Sequence, residues 1–206
     1  MRVGIDFDNT IVSYDALFHK VAVEQGSVPA ALPASKLAVR DYLRSISREE
    51  LWTEMQGYVY GARMQEASGF PGVMEFLRWA RGRGIEVAVI SHKTRYPFLG
   101  PKYDLHDAAR NWVASCLVDN GDALIPQQQV FFELTKEDKL RRIVQANCDY
   151  FIDDLPEILL ADGFPVSTMR VLFDPEASHA QHPRLVKMKS WTEILHDFQQ
   201  RWLPTR

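Results

Sequence analysis

The sequence predicts an α/β fold, a doubly wound parallel sheet interrupted early by a helical insertion. Three observations predict it. Apolar runs of strand length recur through the chain, at 3–5, 85–90, 129–133, 150–154 and 168–173, and amphipathic helical stretches separate the later ones. The first run leads straight into two aspartates, Asp6 and Asp8. Between Ser13 and Gly69, by contrast, only helical periodicity is found.

Val3 and Ile5 alternate with Gly4 and read as a buried parallel strand carrying its acids at the carboxyl end. In open α/β sheets that end is where ligands bind. In an extended segment Asp6 and Asp8 would project to the same side, because side chains alternate with a period of two. Carboxylates that close repel one another unless a cation or a shared proton lies between them.

The insertion starts with Leu17, Phe18, Val21 and Ala22 at helical spacing, closed by Gly26. Ser35 is an N-cap for a second helix through Ile46 that would bury Leu37, Tyr42 and Leu43, and Ser47-x-x-Glu50 has the form of a capping box opening a third with Trp52, Met55 and Val59. The split expected is therefore residues 1–12 and 70–206 for the α/β core and 13–69 for a helical unit. Within that unit Tyr14, Lys20, Arg40, Arg44, Tyr58, Tyr60 and Arg63 are the side chains able to recognise a ligand.

The second half of the core follows a regular order. Pro71 and Gly72 lead into a helix, Gly82 and Gly84 end it, and the second strand closes on Ser91-His92-Lys93. His92, Lys93 and Arg95 stand at that strand end, where an acidic group could meet them. After a helix over about 105–118 comes the third strand, then Thr135 capping a helix with Leu140, Ile143 and Val144 as its expected apolar stripe. The fourth strand ends in Asp153-Asp154, a fifth spans 168–173, and Ser190 opens a final helix burying Trp191, Ile194, Phe198 and Trp202. His179 and His182 share a Pro-flanked loop but lack a further ligand cluster to suit a metal.

Asp6-Phe-Asp8-Asn-Thr10 resembles the first motif of the haloacid dehalogenase-like superfamily, Asp-x-Asp-x-Thr after a hydrophobic strand. The strand ending in Ser91 is similar to the second motif, a lysine heading the helix after Thr135 to the third, and Asp153-Asp154 to the fourth. The resemblance implies a Rossmann-like core with an inserted cap, and a phosphatase in which Asp6 attacks phosphorus and Asp8 serves as acid and base. It implies Mg²⁺ held by Asp6, Asp8, Asp153 and Asp154, and a phosphate held by Thr10 and Ser91 with His92 and Lys93 beside it. Two lysines compete for the third motif; Lys136, four residues before Leu140, has the expected spacing, and Lys139 is the alternative. The substrate implied is a small phosphomonoester, a sugar phosphate or a nucleotide monophosphate. A phosphotransferase or phosphomutase using the same aspartyl-phosphate, and a non-catalytic phosphate-binding module, are the other readings.

Composition narrows the rest. A chain of 206 residues, 46% hydrophobic and 25% charged, has room for one domain with an insertion and the make-up of a soluble globular protein. The net charge of -3, without a block of like charge, argues against a nucleic-acid polymer as partner. Cys116 and Cys148 lack metal or redox spacing and read as reduced core residues. No apolar run is long enough to span a membrane and the first strand leaves no room for a signal peptide, so a cytoplasmic monomer or homodimer is expected.

Overall fold

The structure, a computed structural model, describes residues 1–201; Trp202 lies outside the described residues. In chain order the elements are β1 (Arg2–Ile5), β2 (Val12–Ser13), α1 (Asp15–Glu24), α2 (Lys36–Ser45), α3 (Glu49–Tyr60), β3 (Ser68–Gly69), α4 (Val73–Gly82), β4 (Glu86–His92) and α5 (Leu105–Cys116). Then follow β5 (Val118–Asp119), β6 (Asp122–Ala123), β7 (Val130–Glu133), α6 (Lys136–Ala146), β8 (Tyr150–Asp153), α7 (Pro156–Leu159), β9 (Met169–Phe173), β10 (Val186–Met188) and α8 (Trp191–Arg201). They form two compact units. One holds Met1–Ile11, Gly69–His92 and the chain from Leu117 onward; the other holds Val12–Ser68 and Lys93–Cys116.

The first unit is built on a six-stranded sheet in the order β10-β9-β8-β1-β4-β7, parallel at every pairing. β1 lies in the middle, with Ile5 opposite Val89 on one side and Ile152 on the other. Because side chains alternate along a strand, each core strand supplies apolar residues to both faces. Ala88, Ile90, Phe151 and Leu172 pack with Ile143 of α6 and Ile158 and Leu159 of α7. An aromatic group of Phe76 from α4 and Trp191 and Phe198 from α8 packs together, with the Phe76 ring 5.1 Å and 5.3 Å from the other two. Gly4 has a packing role: a Cβ there would fall 2.5 Å from the Phe151 ring and 2.9 Å from Cys148 Sγ.

The second unit consists of helices. Leu17, Phe18 and Val21 of α1, Val39 and Leu43 of α2 and Trp52, Met55 and Val59 of α3 are buried, and the Phe18 and Trp52 rings lie 4.9 Å apart. Helix α5 and the loop before it belong here, not to the sheet unit as expected. Trp112 of α5 donates its indole N–H to the carbonyl of Ala67 at 2.9 Å, and Gly61 has no Cβ where Tyr103 packs, its ring 2.5 Å from where one would be. The length of the 93–116 excursion from β4 was the available signal.

Other departures have local causes. Ser35 caps α2 as expected, accepting from Leu37 N at 3.2 Å, but Leu37 is exposed and Val39 takes the inward position. The Ser47 capping box does not form, because Ser47 adopts φ +59° and α3 begins at Glu49 after Arg48. Asn120-Gly121, both at positive φ, close a hairpin between β5 and β6 that the sequence reading passed over although Asn-Gly is the commonest signal for such a turn.

The unexpected sixth strand, β10, is tied to the end of β9. Asp174 is buried and accepts from the backbone N–H of Ser178 at 2.9 Å and of His179 at 3.1 Å, and its carboxylate lies 2.8 Å from Lys187 of β10. Burial alone would raise its pKa; Lys187 and the two amides outweigh that and hold it at about 2. In the loop before β10, His182 Nδ1 accepts from the backbone N–H of Arg184 at 3.2 Å.

Asp174→Ala should therefore destabilise the protein by about 2 kcal/mol at neutral pH, measured by urea unfolding. A carboxylate whose folded pKa is depressed contributes its stabilisation above the unfolded value of about 3.9 and loses it as pH falls through the folded one. The gap between wild type and variant should be full above about pH 5 and close progressively toward pH 2.

Candidate active site

Three neighbouring strands, β8, β1 and β4, end at the same edge of the sheet. β1 stops at Ile5, so Asp6 is the first residue beyond it, anchored by its N–H to the carbonyl of Ile152 at 2.8 Å. Asp153 is the last residue of β8 and Asp154 follows. One carboxylate oxygen from each of Asp6, Asp153 and Asp154 lies within 4.8 Å of the others. The first and fourth sequence motifs thus meet because β1 and β8 are adjacent.

Thr10 belongs to the same cluster. Asn9 adopts φ +58°, turning the chain back after the strand, and the buried Thr10 Oγ1 lies 3.4 Å from Asp6 Oδ2 and 3.3 Å from Asp154 Oδ1. It also accepts from the backbone N–H of Asp154 at 3.2 Å. A hydroxyl has one proton, so Thr10 can donate to only one of the two acids at a time. The Trp191 indole N–H secures the turn by donating to the Thr10 carbonyl at 2.9 Å.

The lysine in this cluster is Lys139. Its side chain is fully buried, and Nζ lies 2.6 Å from Asp6 Oδ1 and 2.6 Å from Asp153 Oδ2. Lys136 is instead exposed on the first turn of α6, paired with Glu157 at 2.5 Å. This corrects the placement expected from sequence, and the reason is helical phase. Of the expected stripe Ile143 is buried and Leu140 packs partly buried beside it, but Val144 is 53% exposed, and Lys139, four residues before Ile143, shares the buried face.

The strand ends before Asp6, so the period of two that was expected to set Asp6 and Asp8 on one side does not extend to them. Phe7 is buried, its ring edge-on to Phe132 at 5.2 Å, and Asp8 is half-buried. The three-acid group is formed without the Asp8 carboxylate. Ser91 is buried at the end of β4, and His92 beside it has a buried Nδ1 without a hydrogen-bond partner among the described residues. Burial, then the ammonium of Lys139, pull the His92 pKa below its ordinary value, which favours the neutral ring.

Lys93 falls in the helical unit, where its ammonium lies 4.5 Å from the centre of the Tyr60 ring. Most of the basic residues singled out there are engaged with carboxylates. Lys20 pairs with Glu66, Arg40 with Asp41, Arg44 with Glu49, Arg63 with Glu24 and Glu66, and Arg95 with Asp104.

The electrostatics of the acids follow from burial. Asp153 is pushed upward chiefly by loss of water, with Lys139 opposing and Asp6 adding to the shift. Asp154 is pushed upward by burial, then by Asp6 and Asp153. Burial alone would lower the Lys139 pKa, but Asp153 and Asp6 outweigh it and hold the ammonium charged. Among the described residues of this cluster one cation, Lys139, therefore faces the buried carboxyl groups of Asp6 and Asp153 and the partly buried one of Asp154. Their oxygen donors suit a small, hard divalent ion, which would relieve the remaining repulsion.

Residues 3–153 match the family model of the haloacid dehalogenase-like hydrolases. The chain is 21% identical over 201 residues to a Bacillus cereus protein named "Putative nucleotidase", covering 94% of this chain and 96% of that one. Among solved structures it is similar to an archaeal beta-phosphoglucomutase from Pyrococcus sp. strain ST 04, with a TM-score of 0.57, 13% identity, and coverage of 97% and 96%. It is also similar to a hydrolase from Ehrlichia chaffeensis, with a TM-score of 0.56, 13% identity and the same coverage. A third, a "predicted phosphoglycolate phosphatase" from Haemophilus somnus, has a TM-score of 0.55, 14% identity and coverage of 96% and 97%.

The two lysines should separate cleanly in stability. Lys136→Ala removes an exposed ion pair and should change unfolding free energy by less than about 0.5 kcal/mol. Lys139→Ala leaves buried carboxyl groups without their counter-charge and should cost about 3 to 5 kcal/mol by chemical denaturation.

Proposed function

Because the chain belongs to the family of haloacid dehalogenase-like hydrolases, we propose that it is a magnesium-dependent phosphatase hydrolysing a small phosphomonoester through an aspartyl-phosphate. The observation that supports this most is the group of Asp6, Asp153 and Asp154 with Lys139 between two of them. A hydrolase of this make-up has an ionised carboxylate for attack and buried positive charge to receive a phosphoryl group.

In this reading an Asp6 oxygen attacks phosphorus in line with the ester bond; the new O–P bond forms as the ester P–O bond breaks. Asp8 gives its proton to the departing alkoxide, then takes one from the water that attacks the aspartyl-phosphate and releases inorganic phosphate. Lys139 on Oδ1 and the Thr10 hydroxyl beside Oδ2 hold the plane of the Asp6 carboxylate while it reacts. Lys139, not Lys136, takes the catalytic lysine's part. Ser91 and the neutral His92 ring are the donors for phosphoryl oxygens on the β4 side. Bound Mg²⁺, held by Asp6, Asp153, Asp154 and the Asp8 carbonyl, would offset charge on the phosphoryl group.

The helical unit is the cap in this proposal. The substrate class is a sugar phosphate or a nucleotide monophosphate. The name of the Bacillus cereus relative favours testing nucleotides first.

A phosphate-release assay over a panel of metabolite phosphomonoesters tests the proposal. Wild-type protein should release phosphate with Mg²⁺, stop on chelation and recover on its return. Asp6→Asn should lose at least about a thousandfold in kcat while keeping its far-UV circular dichroism. Undiminished turnover by Asp6→Asn would falsify the assigned nucleophile.

A further inference from the structure

At the amino-terminal edge of the sheet, where β8 and β9 begin, a cleft of about 600 Å³ is lined by Tyr150, Ser167, Met169, Arg170 and Arg184, among others. Tyr150 and Met169 are paired residues at the starts of the two strands. The cleft is separated from Asp153 by the length of β8, roughly 10 Å at 3.3 Å per residue.

Its two arginines differ from most others in the chain. Arg2, Arg63, Arg78 and Arg142 each face a carboxylate. Arg170 and Arg184 have none among the described residues. The guanidinium of Arg170 lies over the Phe164 ring, 4.9 Å from its centre, and its one hydrogen bond is a long one, 3.5 Å, to the Phe164 carbonyl. Phe164 belongs to the buried core and packs edge-on to Phe151, so Arg170 is held on a rigid support. Among the described residues most of its five N–H donors have no acceptor. Burial, then the charge of Arg184, disfavour its cationic form, so the pair repels as it stands.

The remaining polar groups narrow the ligand. Asp149, the cleft's one acid, is occupied by the backbone N–H of Arg2 at 2.7 Å, and Thr168 donates to the Cys148 carbonyl at 2.7 Å. The exposed side chain of Val166 adds an apolar wall. Two guanidinium groups beside an apolar wall match a doubly charged anion carried on a small organic group.

We propose that this cleft is a second anion site, binding a small phosphate monoester between Arg170 and Arg184, remote from the carboxylate cluster. The site stands whether or not the chain is a phosphatase.

Amide ¹H–¹⁵N spectra of the full chain, titrated with inorganic phosphate at constant ionic strength, test it. Saturable shifts at Ser167, Met169 and Arg170 are expected, weakened about tenfold in Arg184→Gln and in Arg170→Gln. Arg184 is exposed, so its variant isolates binding from folding, and phosphate release should be unchanged in it. Shifts confined to residues 6–10, 91 and 153–154, or equal shifts with sodium chloride, would overturn the site.

Discussion

One buried ammonium group holds the reactive edge of this protein together. Lys139 Nζ stands 2.6 Å from carboxylate oxygens of both Asp6 and Asp153, on the first and eighth strands' ends, and all three side chains are removed from water. Burying any one of these charges alone would be severely unfavourable; each is tolerable because the others are there. Yet a single positive charge among three acids leaves Asp153 and Asp154 hard to ionise. That residual imbalance is what makes the cluster chemically useful, since it can be relieved by a divalent cation and a substrate brought together.

The fold supplies the positions and little of the chemistry. Parallel strands place every carboxyl end on one edge, and the order β8-β1-β4 sets the acids beside Ser91 and His92. Around them the supports are ordinary packing: Gly4 leaves space for Phe151, Trp191 holds the turn at Thr10, and Ile143 seats the turn of α6 that carries Lys139. Such a rigid frame is what a site needs when misplacement of a reacting group by an ångström is costly. The opposite edge, at the other end of β8, carries Arg170 and Arg184 instead of the acid cluster.

Much of this was legible in the chain itself. Strand-length apolar runs closing on Asp6, Ser91 and Asp153 pointed to a parallel α/β sheet with a polar edge, because a parallel strand is buried on both faces and ends abruptly. Thr135 and Ser35 marked helix starts through hydrogen bonds made within a few residues. Features that depend on distant residues were harder to read. β10 is short and only half-buried, and its lysine meets Asp174 from the preceding strand. Helix α5 carries a normal amphipathic pattern, and long-range bonds such as those of Trp112 to Ala67 and Ser115 to Gln65 show which unit it joins. Ser47 has the letters of a capping box but a backbone that cannot form one.

The sequence by itself determined the sheet, the acids at its edge and the family of hydrolases to which they belong, because hydrophobic periodicity and local motifs are properties of neighbouring residues. Only the tertiary structure set Lys139, and not Lys136, among the acids. Three residues on a helix turn a side chain through nearly a full revolution, so both sat close to the expected face. Which one is buried is settled by the packing of Ile143 against β4 and β8, a contact between segments that the chain's local pattern does not encode.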